Sequence, residues 1–135
     1  MRGGGNVEYR IPLKNLPDLV LPSMDPAQGR KYFGTRACVV CHMVNGIGGK
    51  AAAALDLDIR PKTIDILGFA ARMLRHGAPM RSLQRRLFGE QIDLTSEELG
   101  AIIAFLHSPK EQDRFTRDDI PATVRNFMRT EDVTK

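Results

Sequence analysis

Apolar residues recur at helical spacing in several stretches of the chain. Ile66, Phe69, Ala70, Met73 and Leu74 share one side of a helix expected over 63–76, with Gly77 as its stop. Leu99, Ile102, Ile103, Phe105 and Leu106 repeat the pattern in a segment that opens on Thr95-Ser96-Glu97-Glu98, a capping box, and ends before Pro109. Between the two, Leu83 to Phe88 predicts a short helix closed by Gly89. An earlier helix is signalled by its cap: Asp25 precedes Pro26, whose missing amide costs nothing at the first helical position. That helix should run to about Thr35 with Gly29 and Phe33 on one face. A glycine inside a helix costs about 1 kcal/mol against alanine, and close approach of another backbone would explain it.

The two ends read differently. Pro12, Pro17 and Pro22 break any helical pattern in residues 1–24, so this stretch is expected to be an extended N-terminal arm. Tyr9, Ile11, Leu13, Leu16, Leu19 and Leu21 could lay it along the surface of the domain. Residues 109–135 form a charge-rich extension with Phe115, Ile120, Val124, Phe127 and Met128 as its apolar anchors. One more helix is expected after Pro121, with mobile last residues. The central domain is thus 25–108. No segment reads as a strong strand, which makes the class all-α.

Composition is that of an ordinary soluble domain, 42% hydrophobic and 27% charged. No run approaches the roughly eighteen apolar residues of a membrane span. The start, Met1-Arg-Gly-Gly-Gly-Asn, has no apolar stretch of a secretion signal.

The pentapeptide Cys38-Val39-Val40-Cys41-His42 changes the picture most. Two thiols and an imidazole at i, i+3 and i+4 share one face of a helical turn, so all three can reach one flat macrocycle. This C-x-x-C-H run is of the kind that attaches c-type haem. Cys38 and Cys41 would add to the haem vinyl groups as thioethers, and His42 would ligate the iron. A dithiol redox site would want a βαβ setting, and a structural zinc site would need two more ligands, for which His76 and His107 lie too far apart. An exported, periplasmic protein is then expected, its signal lost from this chain. A haem buried in so small a core should also leave the apo form largely unfolded.

A sixth iron ligand must come from elsewhere. Met73 fits the apolar stripe of its helix and reads as core filling. Met80 lies after the helix stop at Gly77 and after Pro79, where a short stiff loop could hold its thioether in a fixed place. His76 is the main competitor, and Met24, Met43, Met128 and His107 stand behind both. The glycine-rich Asn45-Gly46-Ile47-Gly48-Gly49-Lys50 follows no strand and so is no dinucleotide fingerprint. Its small residues suit a loop lying against a porphyrin edge.

Charge adds a clue about partners. The formal net charge is +4, but Arg72, Arg75, Arg81, Arg85 and Arg86 gather around Met80 with no acid from Ile66 to Gly89. Such a surface would steer the protein toward an acidic redox partner, unless some of these arginines neutralise haem propionates. Few aromatics are interleaved with the arginines and no nucleic-acid module is present, so nucleic acid is excluded as a partner. No carboxylate pair or Ser/His/Asp set suggests catalysis, and Asp56, Asp58, Asp118 and Asp119 read as solvated loop charges.

In the order of these features, from the Gly29–Phe33 helix through CVVCH and GAPM to LTSEELGAIIAFLHSP, residues 25–108 resemble a class I c-type cytochrome of the bacterial monohaem kind. The resemblance implies the cytochrome c fold, with four to five helices around one covalently bound haem c. It implies His42 and Met80 as axial ligands. It also implies that the first and last helices cross, with Gly29 and Phe33 meeting Leu99, Ile102 and Phe105 or Leu106. A His/Met pair leaves no open coordination site and favours ferrous iron, which suits electron transfer and not catalysis. A diffusible periplasmic carrier is the first expectation. The long arm and extension leave room for a second, a haem subunit of a larger oxidoreductase acting on sulfur compounds or alcohols. A gas sensor in which Met80 is displaced is a third.

Overall fold

Asp25 caps the first helix as its sequence suggests. Its carboxylate accepts hydrogen bonds from the amides of Ala27 (3.0 Å) and Gln28 (3.2 Å), and Pro26 takes the first helical position. The computed structural model describes residue 18, residues 20–56 and residues 63–133. Most of the expected arm, and Asp58, lie outside the described residues.

The helices in chain order are α1 (Pro26–Thr35), α2 (Ile66–Arg75), α3 (Gly77–Phe88), α4 (Ser96–Leu106), α5 (Pro109–Arg114), α6 (Ala122–Arg125) and α7 (Thr130–Val133). Short 3-10 turns occupy Cys38–Val40 and Arg117–Asp119. Among the described residues the one β feature is a bridge between Val44 and Ile47, so the fold is all-α.

The core is a crossing of α1 and α4. At Gly29 a Cβ would overlap the carbonyl of Ala101 and press on Phe105, so the two backbones touch where a side chain would hold them apart. Of the expected partners Phe105 is met, and Ala101, which was not among them, makes the nearest contact. Phe33 then meets Phe105 at 5.4 Å between ring centroids and Phe115 edge-on at 5.3 Å, and Phe105 lies 5.8 Å from Phe115. Each such pair contributes about 0.5–1.5 kcal/mol beyond its buried area.

Helix α4 reads as amphipathic, yet Gly100 through Leu106 are buried without a break. The chain beyond Ser108 supplies the missing cover. Phe115, Ile120 and Val124 are buried in the same core, and Gln112 donates to the carbonyls of Leu55 (3.0 Å) and Leu106 (3.4 Å). Charges tie this segment to α1 as well. Arg30 Nη1 donates to the buried Glu111 at 2.7 Å, and its Nε, which makes no aligned hydrogen bond, lies 3.3 Å from Asp119. A carboxylate this buried needs such a partner.

Two boundaries differ from expectation. Helix α2 begins at Ile66, because Asp65 accepts from the amide of Gly68 (2.8 Å) and caps it there. Gly77 does not open a loop. His76 ends α2 and begins α3 in one residue, and α3 runs unbroken from Gly77 to Phe88. Pro79 is tolerated because it falls in the first turn, where amides have no helical acceptor. Met80 therefore sits in a helix and not in a short loop.

Candidate haem site

The C-x-x-C-H segment is aimed by the end of α1. After Arg36 the chain passes through Ala37 in the left-handed region (φ 63°), which turns it sharply into the 3-10 turn. The Cys38 carbonyl then accepts from the amides of Cys41 (3.3 Å) and His42 (2.9 Å), closing the helical turn expected for the motif. Val39 and Val40 are buried and anchor the turn, while Cys38, Cys41 and His42 keep some exposure. The three side chains thus come from one turn rooted in the core.

The following loop is folded onto this turn. Asn45 and Gly46 both have positive φ (53° and 73°), the geometry of a tight reversal between the bridged residues Val44 and Ile47. The Asn45 amide donates to Asp56 at 2.8 Å, so that carboxylate is structural and not merely solvated. A Cβ at Gly48 or Gly49 would overlap the backbone of His42 or Val40, and the Gly49 amide donates to the Val39 carbonyl at 2.9 Å. These glycines allow the loop to approach the motif's own backbone, where a porphyrin edge was expected.

The loop also sets the imidazole. His42 Nδ1 lies 2.7 Å from the carbonyl of Ala53. A carbonyl only accepts, so Nδ1 carries the proton and the lone pair resides on Nε2, the arrangement of an imidazole oriented for a metal. Ala53 has no side-chain signature for this role, and sequence reasoning had no means of finding it.

The thiols are not those of a redox dithiol. Burial pushes Cys38 up to about 12, and burial also raises Cys41. A reactive pair would be lowered into the thiolate range instead. No disulfide joins them. Among the described residues no cluster of three or more His, Cys, Asp and Glu is placed to hold a bare metal ion.

The remaining fit is apolar. One edge of the α2 stripe is covered, with Phe69 buried and Ile66 and Met73 packed against the core, but Leu67 and Leu74 are 83% and 78% exposed. A helix in water does not gain by presenting two leucines one heptad apart. Cys41 opens on a cavity of about 340 Å³ bounded by Gly49, Lys50, Leu87, Phe127 and Arg129. Its walls are mixed, with Lys50, Arg129 and Asp132 beside the apolar Leu87 and Phe127, so both an apolar face and a charged edge of a tethered group could be met there. Met80, half-buried in the first turn of α3, comes from a separate element. Arg72, Arg75, Arg85 and Arg86 are exposed on α2 and α3, and Arg81 is half-buried beside Gly77.

Comparison with known proteins agrees with this geometry. Residues 26–110 match the family described as Cytochrome c. That family implies covalently bound haem c and electron transfer through it. Neither the curated proteins nor the solved structures provide a match. No helix among the described residues is long and apolar enough to cross a membrane. The family match runs through both helices of the α1–α4 crossing and the whole motif between them, and on that ground the chain belongs to the cytochrome c family.

Proposed function

We propose that this protein carries single electrons between periplasmic redox partners, with Cys38 and Cys41 as the thioether attachments and His42 and Met80 as the axial ligands. The observation that carries the reading is the His42 hydrogen bond to Ala53, which fixes the tautomer and leaves Nε2 to ligate. When bound, the haem supplies a one-electron iron couple. The chain's own residues do the rest. His42 and Met80 would hold the iron, and with both in place no coordination site would be open to a substrate or gas. The Met80 thioether would favour the ferrous state.

Arginines 72, 75, 81, 85 and 86 form the docking surface, suited to a partner whose own surface is acidic. Reaction with that partner should slow as salt is raised from low to physiological strength, because a Debye length of about 8–10 Å screens exposed charges. A flat salt dependence removes the docking assignment.

One observation favours a second reading, the haem subunit of a larger periplasmic oxidoreductase. Val20 and Leu21 are 91% and 74% exposed, as residues awaiting another chain would be. Against it, the segment after Ser108 is well packed on its own domain. A stable complex on purification would decide for the subunit.

Replacing Met80 with alanine tests the ligand set. The weak near-infrared band of sulfur bound to ferric iron should vanish. The potential should fall by on the order of 0.1 V or more, within the roughly 0.8 V that axial ligands command. Ferrous protein should begin to bind carbon monoxide. An unchanged spectrum and potential would pass the sixth position to another residue, His76 first.

A further inference from the structure

Helix α3 carries Met80 but is poorly held by the rest of the protein. Among its described side chains only Phe88, at the far end, packs against the hydrophobic core. Among the described residues, α2 lies beside it, Gln84 accepts from the amide of Ile92 (2.9 Å), and Arg85 donates to Gln91 (3.4 Å). Phe88 in turn meets Phe127 edge-on, with ring centroids 4.9 Å apart.

Phe127 belongs to the C-terminal segment, and that segment is fastened to the other half of the site. The Asp132 carbonyl accepts from the amide of Gly48 at 2.8 Å, in the loop folded onto the His42 turn. Met128 and Val133 pack against the core, and Phe127 shares with Leu87 and Cys41 the walls of the cavity beside the motif. The segment therefore bridges the turn bearing Cys41 and His42 and the helix bearing Met80. Phe127 is nevertheless 48% exposed.

We infer that Phe127 is a positioning residue for the sixth ligand: through Phe88 it fixes the far end of α3 and thereby keeps Met80 seated on the iron. The inference rests on the reading of Met80 as ligand. Met80 lies eight residues from Phe88, about 12 Å along a helix axis. A helix held at both ends keeps its first turn in register, whereas one released at the far end can swing about α2 and withdraw the thioether. The C-terminal extension would then set how readily Met80 is displaced, a role the domain ending near Ser108 could not supply.

The test uses full-length, haem-loaded protein and imidazole as the competing ligand for ferric iron. Phe127→Ala should retain haem and helix content but bind imidazole about tenfold more tightly, the scale of one lost aromatic pair. Its sulfur-to-iron band should disappear at correspondingly lower imidazole, and Phe127→Tyr should restore wild-type behaviour. If Phe127→Ala does not retain haem, Phe127→Leu carries the same comparison with a smaller expected shift. Imidazole affinity equal to wild type in the substituted protein overturns the inference while leaving Met80 as ligand. A wild-type ferric protein without the sulfur-to-iron band overturns the ligand reading, and this inference with it.

Discussion

The α1–α4 crossing and the α2–α3 pair are built on opposite terms. In the first, Gly100 through Leu106 are buried without interruption, three phenylalanines interlock, and Arg30 and Arg36 tie helices to distant carboxylates. In the second, Phe69 and Gly77 are the buried residues of two helices, two leucines of α2 face water, and no acid balances five arginines. Fully burying a leucine is worth about 1.5–3 kcal/mol. The first region is therefore stable on its own side chains, and the second gains most from an apolar group it does not itself contain. Family membership gives the chain haem c as its cofactor.

The largest expected effect comes from withholding the haem. A Cys38→Ala, Cys41→Ala chain prepared without it should show amide exchange at least tenfold faster across α2 and α3 than across α1 and α4, since local stability follows local burial. In the haem-loaded protein the gap should narrow sharply. Uniform loss of protection through all four helices would break the comparison and match the simpler expectation of an apo form unfolded throughout. Equal, retained protection would mean that α2 and α3 need no haem.

How much of this is legible in the sequence follows the same division. Local signals were read correctly where the chemistry is local: Asp25 before Pro26, the Thr95 capping box, and the C-x-x-C-H turn all occur as expected. Gly29 could be read as a close approach and Phe105 as a partner, but Ala101, whose carbonyl lies nearest, needed the structure. The error at Gly77 has a physical source. Glycine after a helix is a common stop, but Pro79 fits the first turn of a new helix equally well, and nothing local chooses between them. Contacts distant in sequence were invisible, as with Arg30 to Glu111, Phe33 to Phe115, and Phe88 to Phe127. So was the Ala53 carbonyl, because every residue has one.

Acid should produce the smallest effect, and it should act on the better-packed region. Glu98 accepts from Arg36 Nε at 3.0 Å and Nη2 at 2.6 Å, and from the Thr95 amide at 3.3 Å, so one carboxylate joins the end of α1 to the start of α4. The hydrogen bond from Arg36 holds this carboxyl below the usual carboxylate range, with the Thr95 amide adding to it. A group lowered in the folded state contributes its full stabilisation above its unfolded value, about 4.3 for glutamate, and loses it as pH falls through the folded value. Because Arg36 is 41% exposed, solvent screens the pair, and its contribution should stay below about 1 kcal/mol. Glu98→Gln should therefore lower the urea midpoint modestly at pH 7, and the difference from wild type should close progressively below about pH 4. Glu98 bonds to Arg36 and to the Thr95 amide and not to α2 or α3, so the difference between the two proteins should register in α1 and α4 probes and leave α2–α3 probes nearly unmoved. Parallel midpoint curves for the two proteins across the acid range would show that Glu98 joins the helices by shape alone.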